Sequence, residues 1–240
     1  MSTYNHFARH YDALMDDPLA NAERVLGYRG RHMPQAQSLL ELGCGSGSIL
    51  AGLRRLQSLV GLDRSPQMLA AARRKVPEAR FVQADMTAFE LGERFDIVIC
   101  VFDTLNHLAG FDAWCRLFER TRAHLRDGGL FIFDVNTLGQ LQRLGAGPPW
   151  VRELAGATIT QDVEWLGDGE AIWNVRIRER LDDGRSILHH ERIPELGVEL
   201  ARIADGLAGD FVLLESSDED GAAPTDESTR AYFAYRARGR

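Results

Sequence analysis

Ser38-Leu39-Leu40-Glu41-Leu42-Gly43-Cys44-Gly45-Ser46-Gly47-Ser48 is the stretch on which the reading of this chain turns. An apolar strand ends in an acid, three glycines follow at alternate positions, and a helical run from Ile49 to Leu56 comes next. A strand that breaks into glycines ahead of a helix gathers bare backbone N–H groups at one point. A ligand can come close there, with its anionic part on a helix N-terminus. Glu41 and a second acid, Asp63, suggest that the ligand also carries a cation and vicinal hydroxyls.

Outward from this turn, strand and helix patterns alternate. The periodicity predicts strands at Ser38–Leu42, Gln57–Leu62, Arg80–Gln83, Phe95–Val101 and Leu130–Val135. Helices are predicted at Ile49–Leu56, Pro66–Lys75 and Phe111–Leu125, with Ser65 as N-cap and Pro66 at N1 of the second. Asp127-Gly128-Gly129 reads as the stop signal of the third. FDIVICV and LFIFDV are unbroken apolar runs, as strands buried on both faces require. Strands separated by helices imply an α/β, doubly wound parallel sheet, and such sheets bind ligands outside the carboxyl ends of their strands. That rule places Glu41 to Gly47, Asp63, Asp85, Phe102 to His107 and Asp134 to Thr137 on one rim.

The remainder reads differently. Residues 1–37 form two helical pieces, one carrying Tyr4, Phe7 and Tyr11 and one from Pro18 to His32, which could lie over the rim as a lid. Residues 38–147 are the ligand-binding core. Beyond Pro148-Pro149, residues 157–192 read as an antiparallel β insertion, a meander of Ala157–Trp165, Ala171–Leu181 and Arg185–Arg192. Its turns fall at Gly167-Asp168-Gly169 and Asp182-Asp183-Gly184. Residues 193–240 close the domain with a helix over Pro194–Leu207 and strands at Phe211–Glu215 and Arg230–Ala237, around a solvated acidic loop, Ser216–Ser228. All 240 residues then make one domain.

Composition narrows the function. The chain is 45 % hydrophobic and 26 % charged, ordinary for a globular protein. A net charge of −7 argues against a sequence-independent grip on nucleic acid. No apolar run is long enough for a membrane span and the start Met1 to His10 lacks a signal-peptide core, so a cytoplasmic protein is expected. The three cysteines, Cys44, Cys100 and Cys115, show no ligand spacing, Cys100 and Cys115 read as small buried hydrophobes, and no metal site is read.

The acid followed by Gly43, Gly45 and Gly47, with acids ending the next two strands, resembles the class I S-adenosylmethionine-dependent methyltransferases over nearly the whole chain. A G-x-G-x-x-G dinucleotide fingerprint would need glycine at Ser48. The resemblance implies a seven-stranded Rossmann-like sheet and S-adenosyl-L-methionine as cofactor. It implies that Asp63 binds both ribose hydroxyls, since Ser65 already fills the capping role and leaves Asp63 free. Asp85 would bind the adenine amino group, or else simply form a turn. Met68 and Met86 would sandwich the adenine or serve as core. Glu41 would face the methionine amino group, or be satisfied by local backbone. Tyr11 is similar to a tyrosine placed over the cofactor, and equally fits a buried helix face. Cys44, Arg64, Val101 and Phe102 complete the implied cofactor set.

After the fourth strand comes Phe102-Asp103-Thr104-Leu105-Asn106-His107-Leu108. Base-amino methyltransferases carry an (N/D)-P-P-(Y/F) segment here, which this chain lacks. Asn106-His107-Leu108 resembles the amino-sugar and glycine-type N-methyltransferases, several of which have another residue before the histidine. An attacking amine must be neutral, so His107 is the candidate catalytic base or orienting group; a satisfied helix-start histidine is the other reading. Asn106 and Asp134 are candidate substrate contacts; acceptance of backbone N–H groups at its strand end is the other reading of Asp134. His189-His190-Glu191-Arg192 is similar to a run in the amino-sugar enzymes and is assigned no catalytic role. The expectation is methyl transfer to a small-molecule acceptor at nitrogen, by a monomer or homodimer. The alternatives are a catalytically silent cofactor-binding partner and a nicotinamide-dependent oxidoreductase.

Overall fold

The computed structural model describes residues 7–14, 18–181 and 183–239; Tyr4 and Asp182, used above, lie outside them. A 3-10 turn at Phe7–Arg9 leads into α1 (Tyr11–Leu14) and α2 (Pro18–His32). Then follow β1 (Ser38–Leu42), α3 (Ser48–Gly52), β2 (Ser58–Asp63), α4 (Pro66–Lys75), β3 (Arg80–Gln83) and β4 (Phe95–Cys100). A 3-10 turn at Thr104–His107 precedes α5 (Phe111–His124), β5 (Leu125–Asn136) and α6 (Leu138–Ala146). Four strands come next, β6 (Trp150–Leu154), β7 (Ala157–Gly167), β8 (Glu170–Arg180) and β9 (Ser186–Leu196). The chain closes with α7 (Leu200–Leu207), β10 (Phe211–Ser217) and β11 (Arg230–Ala237).

The central sheet has seven strands in the order β10-β11-β5-β4-β1-β2-β3. β1 to β5 pair in parallel, with Leu39 opposite both Leu59 and Ile97, while β11 runs antiparallel to β5 and β10 antiparallel to β11. β4 and residues 130–135 of β5 are buried on both faces, which is why they read as continuous apolar runs. On one face Trp114, Leu117 and Phe118 of α5 pack on Phe131, Phe133 and Phe211; on the other, Val25 and Tyr28 of α2 meet Leu50 and Leu53. Ser65 accepts the Met68 N–H at 3.2 Å as the expected N-cap of α4.

A second sheet, antiparallel in the order β6-β7-β8-β9, stands apart from the first. Its small core is Ile159, Val175, Ile177 and Ile193, and Phe7 inserts among them. Phe7 meets the Trp173 ring edge-on at 5.5 Å and that of Tyr11 at 5.7 Å. Burying one such ring is worth about 1.5–3 kcal/mol, enough to seat the N-terminal segment on this sheet.

Several expected boundaries move. α3 ends at Gly52 rather than Leu56, because α2 crosses there so closely that a Cβ on Gly52 would lie 2.5 Å from Ala22. α5 ends at His124, and Asp127-Gly128-Gly129 lies inside β5 where its register against β4 slips. β9 runs on through Pro194, tolerated because β9 is an edge strand, so only Leu200–Leu207 of the predicted last helix is helical. The acidic loop is anchored rather than merely solvated: Asp226 accepts the Leu200 N–H and Glu219 those of Thr229 and Arg230. α6 and β6 were not anticipated. β6 follows two prolines with four exposed residues in a row, so it shows no alternating pattern. Cys100 is buried as expected, and Cys115 only partly.

Candidate active site

The carboxyl ends of the parallel strands deliver the predicted residues to one cleft. Tyr11, Gly43, Gly45, Asp63, Arg64, Met68, Asp85, Met86, Phe102 and His107 all line it, and Glu41, Cys44 and Val101 line its inner recess. Gly43 (φ +69°) is a left-handed residue, and a Cβ there would run into the Thr104 side chain. The bare turn therefore keeps the cleft floor open. Gly47 differs from Gly43 and Gly45: it does not line this cleft or its recess, and its bare Cα lets α3 approach α4, where a Cβ would sit 3.1 Å from Ala72.

Asp63 is not left free as its capping analysis implied. Its Oδ2 accepts the Gly45 N–H at 2.9 Å and its Oδ1 the Ser65 N–H at 2.8 Å. These bonds tie the glycine turn to the second strand and fix the carboxylate plane, and each oxygen keeps a lone pair for a hydroxyl. Burial raises its pKa, and the backbone N–H groups of Ser65, Gly45 and Arg64 oppose that shift. Asp85 is exposed, with Oδ1 held by the Thr87 N–H at 2.8 Å and the Thr87 hydroxyl at 2.7 Å. Met68 and Met86 are buried in the wall beside it.

Glu41 is 2 % exposed and its Oε2 has no hydrogen-bond partner among the described residues. Burial, and then the nearby Asp63 charge, push its pKa well above the usual carboxylate range. An orphaned buried carboxylate oxygen facing a recess is costly unless a ligand cation completes it. With the glycine cradle and the Asp63 lone pairs, it suits an adenosyl compound bearing an amino group.

The turn after β4 is strained, since Phe102 (φ 63°) and Asp103 (φ 49°) are consecutive left-handed residues without being glycine. The Asp103 N–H donates to Asp134 Oδ1 at 2.7 Å, which holds the turn in place. His107 lines the cleft and its Nδ1 lies 3.4 Å from the Pro194 carbonyl oxygen. Burial lowers its pKa, with the Asp103 charge pulling the other way. Two predicted substrate contacts are corrected. Asn106 is fully buried; its amide donates to the Asn136 and Leu196 carbonyls and accepts the Asn136 N–H, so it joins β5 to β9 and reaches no cavity. Asp134, 1 % exposed, accepts the Asp103 N–H, as its other reading had it, and faces Arg230 at 3.2 Å.

A second cavity of about 330 Å³ opens between the central sheet, α6 and the second sheet. Tyr11 and Phe102 line both cavities and so form the wall they share. Trp150, Arg152, Gln161, Trp173, Glu195 and Arg230 give this space its aromatic and charged character. Sequence reasoning gave these residues no place in the site, and it put Asp103 and Thr104 on the rim without assigning either a role.

A family model for a methyltransferase domain matches residues 39–129. The chain is 32 % identical over 190 residues to dTDP-3-amino-3,6-dideoxy-alpha-D-glucopyranose N,N-dimethyltransferase of Streptomyces fradiae, covering 76 % of this chain and 74 % of that protein. The chain belongs to the S-adenosylmethionine-dependent methyltransferases. An S-adenosylmethionine-dependent methyltransferase of Clostridium acetobutylicum shares the fold, with a TM-score of 0.87 at 20 % identity, covering 98 % of this chain and 99 % of that one. So does an amino pentose methyltransferase of Micromonospora echinaspora, solved with S-adenosylmethionine bound, with a TM-score of 0.79 at 20 % identity and 98 % of each chain covered. This methyltransferase thus uses S-adenosyl-L-methionine, and neither the silent-partner nor the nicotinamide reading gains support. Among the described residues no helix is long and apolar enough to cross a membrane.

Proposed function

We propose that this methyltransferase acts on the amino nitrogen of a nucleotide-linked amino deoxysugar. The observation that carries the reading is the wall shared by the two cavities. A donor in the glycine-lined cleft and an acceptor in the second cavity can meet only at Tyr11 and Phe102. The relative from Streptomyces fradiae is named for a dTDP-linked 3-amino sugar. Trp150 and Trp173 offer flat faces for a base or a sugar ring, and Arg152 and Arg230 offer charge for phosphates.

When bound, S-adenosylmethionine supplies a sulfonium methyl group that an amine lone pair can attack in line. Glu41 would hold the methionine amino group with its unpartnered oxygen. Asp63 would accept the two ribose hydroxyls, and Asp85 the adenine amino group between Met68 and Met86. Tyr11, carried in by the Phe7 anchor, would cover the transfer point and exclude water; burial and the surrounding carboxylates raise its pKa and keep it a neutral hydroxyl. The insertion would serve as the acceptor platform and residues 7–14 as the lid.

Incubation of the protein with S-adenosylmethionine and dTDP-3-amino-3,6-dideoxy-alpha-D-glucopyranose tests this. Release of S-adenosylhomocysteine that depends on the sugar, with a product one or two methyl groups heavier, is the expected outcome. Tight cofactor binding with no sugar-dependent release refutes the acceptor assignment.

A further inference from the structure

Three side chains beside the shared wall bear on how the acceptor nitrogen is handled, an inference that rests on the amine-transfer reading above. Polar atoms of Asp103, His107 and Glu195 all lie within 4.8 Å of one another. They come from separate parts of the chain: Asp103 and His107 flank the 3-10 turn after β4, and Glu195 lies near the end of β9. His107 lines the donor cleft, whereas Asp103 and Glu195 line the acceptor cavity, so the cluster straddles the place where the two meet.

Glu195 is 7 % exposed, and its Oε2 has no hydrogen-bond partner among the described residues. β9 pairs with β8 through its backbone, and the Asn136 side chain is a hydrogen-bond contact of the Glu195 carboxyl within the fold. One guanidinium, Arg230, serves the whole group of acids, at 3.0 Å from Asp103 and 3.2 Å from Asp134. Asp103, Asp134 and an ionised Glu195 therefore leave a local negative charge with an unfilled acceptor atom. A metal ion would have to compete with Arg230 for Asp103. An ammonium, with three N–H donors that can spread over several oxygens, fits without displacing it.

We infer that Asp103, His107 and Glu195 form the ammonium site of the acceptor, and that Glu195 takes the proton the ammonium must lose before its nitrogen can attack. The proton passes from R–NH3+ to the Glu195 carboxylate, giving R–NH2 and a carboxylic acid. The nitrogen lone pair then forms the N–C bond as the C–S bond breaks, the bonding pair leaves with sulfur, and the positive charge ends on the methylated nitrogen. His107 is a positioning residue, for its Nδ1 faces the carbonyl of Pro194, the residue before Glu195.

The chemistry suits the environment. Burial, and then the Asp103 charge, push Glu195 up to about 8, opposed by Arg230 and the Asn136 side chain. A carboxyl in that range shares a proton with an amine nearly evenly. The charged or titratable groups around it are Asp103 and His107 from the turn, Arg230 from β11 with Asp134 behind it, and Tyr11 from the N-terminal segment.

Steady-state rates with dTDP-3-amino-3,6-dideoxy-alpha-D-glucopyranose test the inference, with S-adenosylmethionine affinity measured separately by calorimetry. In the unsubstituted protein kcat/KM rises with pH through about 8. Glu195→Gln abolishes that limb and lowers kcat on the order of 10²-fold, while cofactor affinity stays within about twofold. Glu195→Gln with kcat within about threefold and an unchanged profile overturns the inference. So does loss of the limb in His107→Gln alone. If Glu195→Gln fails to fold, Glu195→Asp decides, because a changed carboxyl position must shift the limb and an unshifted limb overturns the assignment. Cofactor binding without turnover of this sugar by the unsubstituted protein sinks the acceptor reading and the inference together. Turnover that is indifferent to Glu195 sinks the inference alone.

Discussion

Replacing Arg230 by methionine should destabilise this protein more than any surface change. The guanidinium donates to Asp103 Oδ1 at 3.0 Å, Asp134 Oδ1 at 3.2 Å and Asn136 Oδ1 at 3.1 Å. Its side chain is 20 % exposed, those of Asp103 and Asp134 13 % and 1 %. Methionine fills much of the volume but leaves two buried carboxylates uncompensated, a situation that costs about 3–5 kcal/mol. For a chain of this length each kcal/mol lowers Tm by about 2–4 °C, so a drop of about 6–20 °C follows. Burial already raises the Asp134 pKa against the pull of Arg230, so the folded state holds its proton more firmly than the unfolded chain does. A raised carboxyl contributes stability that is present at low pH and lost as pH rises through its folded-state pKa. Without Arg230 that pKa rises further, so the deficit against the unsubstituted protein narrows as pH falls. Differential scanning calorimetry at pH 7 and in mild acid reads both quantities. A Tm drop under about 2 °C at pH 7, or a deficit that grows in acid, would refute the picture of a buried triad centred on Arg230.

Other outcomes follow from the donor cleft. Gly43→Ala places a Cβ against Thr104 and forces an alanine into a left-handed conformation costing about 1–2 kcal/mol; calorimetry should show S-adenosylmethionine affinity falling at least ~10-fold, partly restored when Thr104→Ser is added. Asp63→Ala removes an acceptor of charge-assisted hydrogen bonds worth about 1.5–3 kcal/mol each, so affinity should fall by at least ~10-fold. In the unsubstituted protein, affinity should fall as pH drops through the Asp63 pKa, which burial sets above the ordinary aspartate value. Lys75→Met removes the 2.6 Å contact to Asp12, along with bonds to Ser46 and Ser48, that straps α1 to the core. The pair is partly exposed and worth at most ~1 kcal/mol, so global Tm should barely change while hydrogen exchange over residues 7–14 quickens up to ~5-fold.

The N-terminal anchor and the second sheet divide the labour of the site. Phe7 binds the segment to the second sheet, and Asp12 straps it to the glycine turn through Ser46, at 2.5 Å, and Lys75. Tyr11 lies between these two attachments. Its position over the shared wall therefore depends on both sheets at once.

The glycine turn, the parallel strands and the acids Asp63 and Asp85 were all legible in the sequence. Each is a local pattern: a two-sided apolar run, an N-cap before proline, an acid where a strand ends. The rule that ligands sit beyond the carboxyl ends of parallel strands then placed them together. The second cavity had no such signature. Arg230 meets Asp103 across 127 residues of chain. Glu195 reaches His107 because β9 continues through a proline that reads locally as the start of a helix. Asn106 looked like a ligand contact and is instead the joint that holds those strand ends together. Local periodicity determines which face of a strand is buried and where its backbone ends, so the sequence by itself determined the sheet, the cofactor turn and the donor cleft. Which distant side chains share a cavity depends on how two sheets and a terminal segment pack. That packing leaves no periodic trace, and only the tertiary structure decided which residues line the second cavity.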